Sequence, residues 1–150
     1  MAKIKVKSKK FIYKNSINWL AEKRGLLSSL GKPNIEVATP PEFRGHVGIW
    51  NPEDLFVASV NSCIMTTFLY YAERESVEFL SYESEAEGIL EKVENQLIFS
   101  EIKIKPLILV KQDANIQKAK ELIELSEKSC LISNSIKSKV EVTPEIKLGA

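Results

Sequence analysis

The sequence is poor in most of the features that mark a specialised class. Its 150 residues hold two cysteines and one histidine, scattered so that no metal-ligand spacing arises, and a structural zinc is not expected. The formal net charge is +1, without the surplus of Lys and Arg that binding to nucleic acid or an anionic membrane requires. No apolar run reaches the roughly 20 residues needed to cross a bilayer. The amino-terminal stretch "MAKIKVKSKKFIYK" is cationic but has no apolar core of signal-peptide length. The expectation is a cytoplasmic protein with no nucleic-acid and no membrane partner. In that compartment two cysteines are not a secreted framework, and any bond between them is expected to be transient and catalytic.

What is present is ordinary for a globular chain. Hydrophobic residues make up 44% and charged residues 27%, enough for one domain over 1–150 that buries roughly 70% of its unfolded surface. "AKIKVKSKK" alternates lysine with Ile4 and Val6, the period-2 pattern of a half-buried strand. "INWLAEKRGLLSSLGKPNIEVAT" reads as two short strands, with turns at Arg24-Gly25 and Gly31-Lys32-Pro33. "PPEFRGHVGIW", with two prolines and two glycines, is a loop that feeds into a helix.

That helix is announced by "NPEDLFVASVNSCIMTTFLYYAER", residues 51–74. Asn51 suits the N-cap, Pro52 the first helical position, and Glu53 and Asp54 the positive end of the dipole. The pattern predicts a helix over 52–75. Leu55, Phe56, Val60, Ile64, Met65, Phe68, Leu69 and Ala72 cover most of its girth, so it is central and too apolar for one subunit to cover. Two runs flanking the polar Glu94-Asn95 predict a long hairpin over 77–91 and 96–110, in which Pro106 marks a bulge or an edge position. Ile116, Ala119, Leu122, Ile123 and Ser126 fall at helical spacing, and "KSKVEVTPEIKL" reads as a terminal strand. The order predicts an α+β fold of antiparallel sheets packed around two helices.

Cys63 stands in the middle of the first helix and Cys130 at the end of the second, 67 residues later. By position alone Cys63 reads as an inert core thiol and Cys130 as part of a polar junction, and sequence does not show whether the sulfurs meet.

"ATPPEFRGHVGIWNPEDLFVASVNSCIMTTFLYYAE" resembles the signature region of the OsmC/Ohr family of osmotically induced and organic hydroperoxide resistance proteins, through the PPEF loop, the NPE-L-F helix start and a cysteine ten residues after the Glu. "SEKSCLISNSIKSKVEV" resembles the family's Cys-x-x-Ser-Asn segment. Arg44 stands where many members have glycine, and Leu131 where many have proline.

The resemblance implies an intertwined homodimer and a thiol peroxidase. Cys63 would attack an organic hydroperoxide, or hydrogen peroxide, and become a sulfenic acid. Cys130 would condense with it to a disulfide, to be reopened by an external dithiol or lipoyl-type reductant with no bound cofactor. A mid-helix position does not by itself lower a thiol pKa, so a cation is expected nearby. Arg24, close to the spacing of the family's active-site arginine, is preferred to Arg44, and Glu53 matches the glutamate that orients it. His46 reads as a bystander. The alternative is an OsmC-like dimer that senses redox state or binds a small apolar ligand without turnover.

Overall fold

A computed structural model of the chain describes residues 8–149. The strand expected around Ile4 and Val6 lies outside them. The described chain forms two compact units, one ending at Pro52 and one beginning at Glu53.

The amino-terminal unit is an antiparallel meander of β1 (Ser16–Ala21), β2 (Arg24–Ser28) and β3 (Ile35–Ala38), in that order. Three strands stand where two were expected, and the first turn falls at Glu22-Lys23 rather than Arg24-Gly25. Glu22 takes a left-handed conformation (φ 52°), and the Trp19 indole N–H donates to its carbonyl at 2.9 Å, which closes the turn early. Arg24 and Gly25 are thereby drawn into β2, Gly25 opposite Trp19. The second turn is as expected, with Gly31 at φ 76°.

The PPEF loop folds into one 3-10 turn over Pro41–Phe43. It is drawn tight by the Gly45 and His46 N–H groups, which donate to the Pro40 and Thr39 carbonyls at 3.0 and 2.9 Å. A side chain at Gly45 would run into the Thr39 carbonyl, so this position needs glycine. Large apolar side chains remain on the surface of this unit: Trp19 is 77% exposed, Ile17 59% and Trp50 55%.

The second unit is built on α1 (Pro52–Arg74), the hairpin β4 (Ser81–Val93) and β5 (Gln96–Val110), α2 (Ala114–Ser129), and the short strands β6 (Lys139–Val142) and β7 (Glu145–Leu148). The hairpin turn is Glu94-Asn95, both at positive φ (49° and 64°), the primed geometry that matches strand twist. The terminal segment forms two strands rather than one, broken at Thr143-Pro144, and both run parallel to β5. The sheet is therefore mixed, not purely antiparallel, because the chain returns through α2 as a crossover.

Pro106 lies neither at the edge nor at the bulge, which falls at Ile89/Leu90. It is fully buried in β5, in the interval between the residues paired with β6 (Glu101–Ile104) and those paired with β7 (Leu107–Val110). A residue without an N–H is tolerated there because neither parallel neighbour continues across it.

Ile102, Ile104, Ile108 and Val110 alternate onto the buried face of β5 and meet Val60, Ile64, Phe68 and Ala72 of α1, with Ala119 and Ile123 of α2 completing the core. Phe68 is its largest member, flanked by Phe79 and Tyr82 at ring distances of 5.4 and 5.5 Å. Gly88 lets α1 press onto the hairpin, since a Cβ there would collide with Val57. By length and mean hydropathy (1.4 in its most apolar stretch) α1 is apolar enough to cross a membrane, although a count of uninterrupted apolar residues did not mark it so. One face of it is committed to the core. Only 28% of that stretch is buried, and Tyr70 is 59% exposed.

Candidate thiol site

Cys63 projects from the middle of α1, and Thr67 follows it by one helical turn, its Oγ1 3.8 Å from the Cys63 Sγ. Cys130 ends α2, where the backbone leaves the helix with φ −61° and ψ 112°. The chain then folds back on itself. The Asn134 N–H donates to the Cys130 carbonyl at 3.0 Å, and the Ser133 N–H donates to the Cys130 Sγ at 3.4 Å. The Asn134 side-chain amide donates to the Lys128 carbonyl at 3.1 Å, satisfying one of the orphan acceptors at the helix end. On the facing helix the Tyr71 hydroxyl reaches Ser129 Oγ at 3.0 Å.

These contacts bring the two thiols together. Both are reduced; Cys130 is fully buried and Cys63 partly exposed. Burial is the largest single influence on Cys63 and works against its thiolate. Hydrogen bonds from the Cys130 thiol, the Ile132 N–H, the Thr67 hydroxyl and the Leu131 N–H outweigh it, and the pKa falls below the ordinary thiol value. Cys130 moves the other way. Burial, and then its hydrogen bond to Cys63, push its thiol up, with Ser133 opposing in part. One sulfur is poised to ionise and its neighbour to keep its proton.

The other expected site residues are placed less completely. Glu53 sits in the first turn of α1, its Oε2 buried without a hydrogen-bond partner among the described residues. Arg24 belongs to the amino-terminal unit, where its Nη1 is 2.9 Å from Glu36 Oε1. Arg44 ends the 3-10 turn at φ 61°, and its carbonyl accepts from Lys23 Nζ at 2.8 Å. His46 Nε2 lies 3.5 Å from Glu22 Oε2. The amino-terminal unit also carries an open, largely apolar groove of about 560 Å³ beside Trp19, Arg24 and Val37. Among the described residues no group of three or more His, Cys, Asp or Glu side chains is arranged to hold a metal ion.

Sequence reasoning missed Thr67 and the peptide donors of Leu131 and Ile132. Thr67 had a legible signal, its four-residue spacing from Cys63 on one helix face. The peptide donors had none, because a backbone N–H is the same in every residue but proline.

A sequence model of the OsmC-like protein family matches residues 45–145, which include both cysteine segments. The chain belongs to the OsmC-like family. An uncharacterised protein of Bacillus subtilis, YmaD, is 27% identical over 139 residues, covering 88% of this chain and 92% of its own. Among solved structures, an OsmC-like protein of unknown function from Vibrio cholerae superposes with a TM-score of 0.78 at 20% identity, over 89% of this chain and 99% of its own. An organic hydroperoxide resistance protein from Elizabethkingia anophelis superposes with a TM-score of 0.69 at 22% identity, over 94% of this chain and all of its own. At these identities the two structures show a shared OsmC-like fold.

Proposed function

We propose that this OsmC-like protein is a cysteine-based peroxidase for organic hydroperoxides. The observation that carries the reading is the thiol pair, in which Cys63 is favoured as thiolate and Cys130 as thiol. The Cys63 thiolate attacks the terminal oxygen of R–O–OH. The O–O bond breaks, the sulfur is oxidised to Cys63–SOH, and the departing alkoxide takes a proton to leave as ROH. Cys130 then displaces the sulfenic oxygen as water, and the two sulfurs join in a disulfide. An external dithiol, of lipoyl or similar type, reduces that disulfide by exchange and leaves as its own cyclic disulfide. No bound cofactor enters the cycle, and it suits a cytoplasmic setting in which thiols are kept reduced.

Glu53 supports a further element of the reading. A buried carboxylate oxygen without a partner is costly unless a donor or cation is supplied, and Arg24 is the guanidinium proposed for it, with Arg44 second. The working unit is proposed to be a homodimer. Trp19 and Ile17 of the amino-terminal unit and the uncovered flank of α1 leave apolar surface that a second copy of the chain would cover. A second reading, a non-catalytic or redox-sensing dimer that takes up a small apolar ligand, is favoured by the groove beside Trp19 and Val37.

Consumption of an alkyl hydroperoxide in the presence of a dithiol separates the two. The peroxidase turns over catalytically; Cys63→Ser abolishes turnover. Cys130→Ser retains a first, single-turnover reaction and then inactivates by over-oxidation. Wild-type protein that consumes no more peroxide than the dithiol alone returns the chain to the sensor or ligand-binding reading.

A further inference from the structure

The formal charge of +1 is the balance of two unlike parts of the chain. The first 14 residues contain six lysines and no acidic residue, so the remainder is net acidic. Residues 8–15 of this region form neither helix nor strand and lead into β1. Between Lys10 and Lys14 stand Phe11, Ile12 and Tyr13, 71, 79 and 88% exposed. Lys9 Nζ lies 5.5 Å from the centre of the Phe11 ring, so a cation and an aromatic face are presented together.

This arm is tied to the tip of the β2–β3 turn. The Ser29 hydroxyl donates to the Lys14 carbonyl at 2.8 Å, and the Lys32 N–H closes the turn on the Ser29 carbonyl at 3.1 Å. Gly31 supplies the left-handed residue (φ 76°), and Leu30 is left at the tip, fully exposed. The turn needs its glycine but has no use for a large apolar side chain beside it, since turn residues are ordinarily small or polar. Charge at this end is of one sign, from Lys9, Lys10, Lys14 and Lys32. Between residues 8 and 35 the only acid is Glu22, at the opposite end of the β1–β2 hairpin. Glu36, the next acid along the chain, is paired with Arg24 at 2.9 Å.

We propose that this end of the amino-terminal unit docks on an anionic phospholipid bilayer, with the lysines at headgroup level and Phe11, Tyr13 and Leu30 entering the interface. Exposed apolar side chains set among cations match such a surface in both charge and polarity. A nucleic acid would match the lysines but leave Leu30 and Ile12 without an apolar counterpart. A two-fold contact between copies through this end would set lysine against lysine. The expectation of no membrane partner rested on the net charge of the whole chain, which does not register how that charge is divided. The proposal goes beyond the thiol chemistry and does not rest on it.

The test is sedimentation of the full-length protein with vesicles of phosphatidylcholine alone and of phosphatidylcholine mixed with phosphatidylglycerol. The protein should sediment with the mixed vesicles and not with the uncharged ones, and binding should weaken as salt is raised. Lys9→Gln, Lys10→Gln and Lys14→Gln together should weaken it about 100-fold, near fivefold for each lysine. Leu30→Asn should weaken it about tenfold, through lost apolar contact alone. These side chains are exposed, so both variants should melt with the wild-type protein. Should the triple variant fail to fold, Leu30→Asn and the salt dependence decide. The proposal is overturned by no sedimentation with the mixed vesicles, by equal sedimentation with both kinds, or by variants that bind as the wild type does. Duplex DNA bound by the wild type and lost in the lysine variant, with Leu30→Asn holding DNA and vesicles unchanged, would make the arm a general polyanion site and overturn the bilayer. A shift toward monomer in either variant by light scattering would give the face to a second copy and overturn it as well. No peroxide enters the measurement, so a protein without turnover that still binds these vesicles would remove the peroxidase reading and leave the docking surface standing.

Discussion

Tyr71 and Ser129 join the two helices at the thiol pair, phenol to hydroxyl at 3.0 Å. Tyr71 lies eight residues beyond Cys63 on the same helix, and Ser129 immediately precedes Cys130, so this one bond sets the approach of both cysteines. Tyr71→Phe removes the hydroxyl and keeps the ring. It should cost about 0.5–1.5 kcal/mol in chemical denaturation and shift Cys63 alkylation to higher pH. An equal loss of stability with no shift in the thiol profile would show that the bond serves the fold and not the site.

Arg24 is expected to serve Glu53 and Cys63 more than Arg44 does, since a planar guanidinium can hold a carboxylate and a thiolate together. Arg24→Ala should cut peroxide turnover at neutral pH by an order of magnitude or more, and Arg44→Ala by less than a few-fold. The reverse ranking in turnover and in the Cys63 alkylation profile would transfer the role to the loop arginine.

Self-association has its own readout. Light scattering at micromolar concentration should give about twice the 16.9 kDa chain mass. Trp19→Asp, which places a charge on the exposed apolar face of β1, should shift the distribution toward monomer. A monomeric wild-type protein would remove the dimer. Sedimentation of the protein with uncharged lipid vesicles would assign the apolar flank of α1 to a bilayer instead.

Alkaline stability should fall in a window set by Tyr82. Burial pushes its phenol from the ordinary value of 10.0 up to about 12. A raised folded-state pKa means that the protonated group's contribution is fully present below pH 10.0 and declines as pH rises toward about 12, because the unfolded chain ionises first. Tyr82→Phe should therefore flatten the dependence of unfolding free energy on pH between those limits. Parallel curves for the two proteins would assign the alkaline loss to other groups.

The parts of the molecule governed by side-chain pattern were readable before the structure. The Asn51-Pro52-Glu53-Asp54 start placed α1 to its first residue, the spacing of Ala119, Leu122, Ile123 and Ser126 placed α2, and Glu94-Asn95 placed the hairpin turn. What was misread depends on backbone or on distant partners. Glu22 adopts a conformation usually left to glycine, so the first turn was displaced by two residues. Parallel pairing of β6 and β7 with β5 is decided by the crossover through α2, which no local pattern reports. Pro106 was assigned to an edge or a bulge because an interruption between two neighbouring strands leaves no mark in the residues of β5 itself. At the site, the cysteines, Glu53 and the arginines were visible as side chains. The donors around Cys63 were invisible as peptide groups, and so a cation was expected to supply all of the stabilisation.

The separation of the two cysteines along the chain has a consequence for unfolding. Cys63 and Cys130 are neighbours in space but 67 residues apart in sequence, and the intervening chain contains the end of α1, the whole hairpin and α2. Oxidation would close that stretch into a covalent ring. Ring closure of such length removes enough freedom from the unfolded chain to raise stability by about 4 kcal/mol. Each peroxide reduced would thus leave a protein harder to unfold than the one that met it, and each reduction by the dithiol would return the softer form. The melting temperature itself becomes a gauge of how much of the pool is waiting for its reductant.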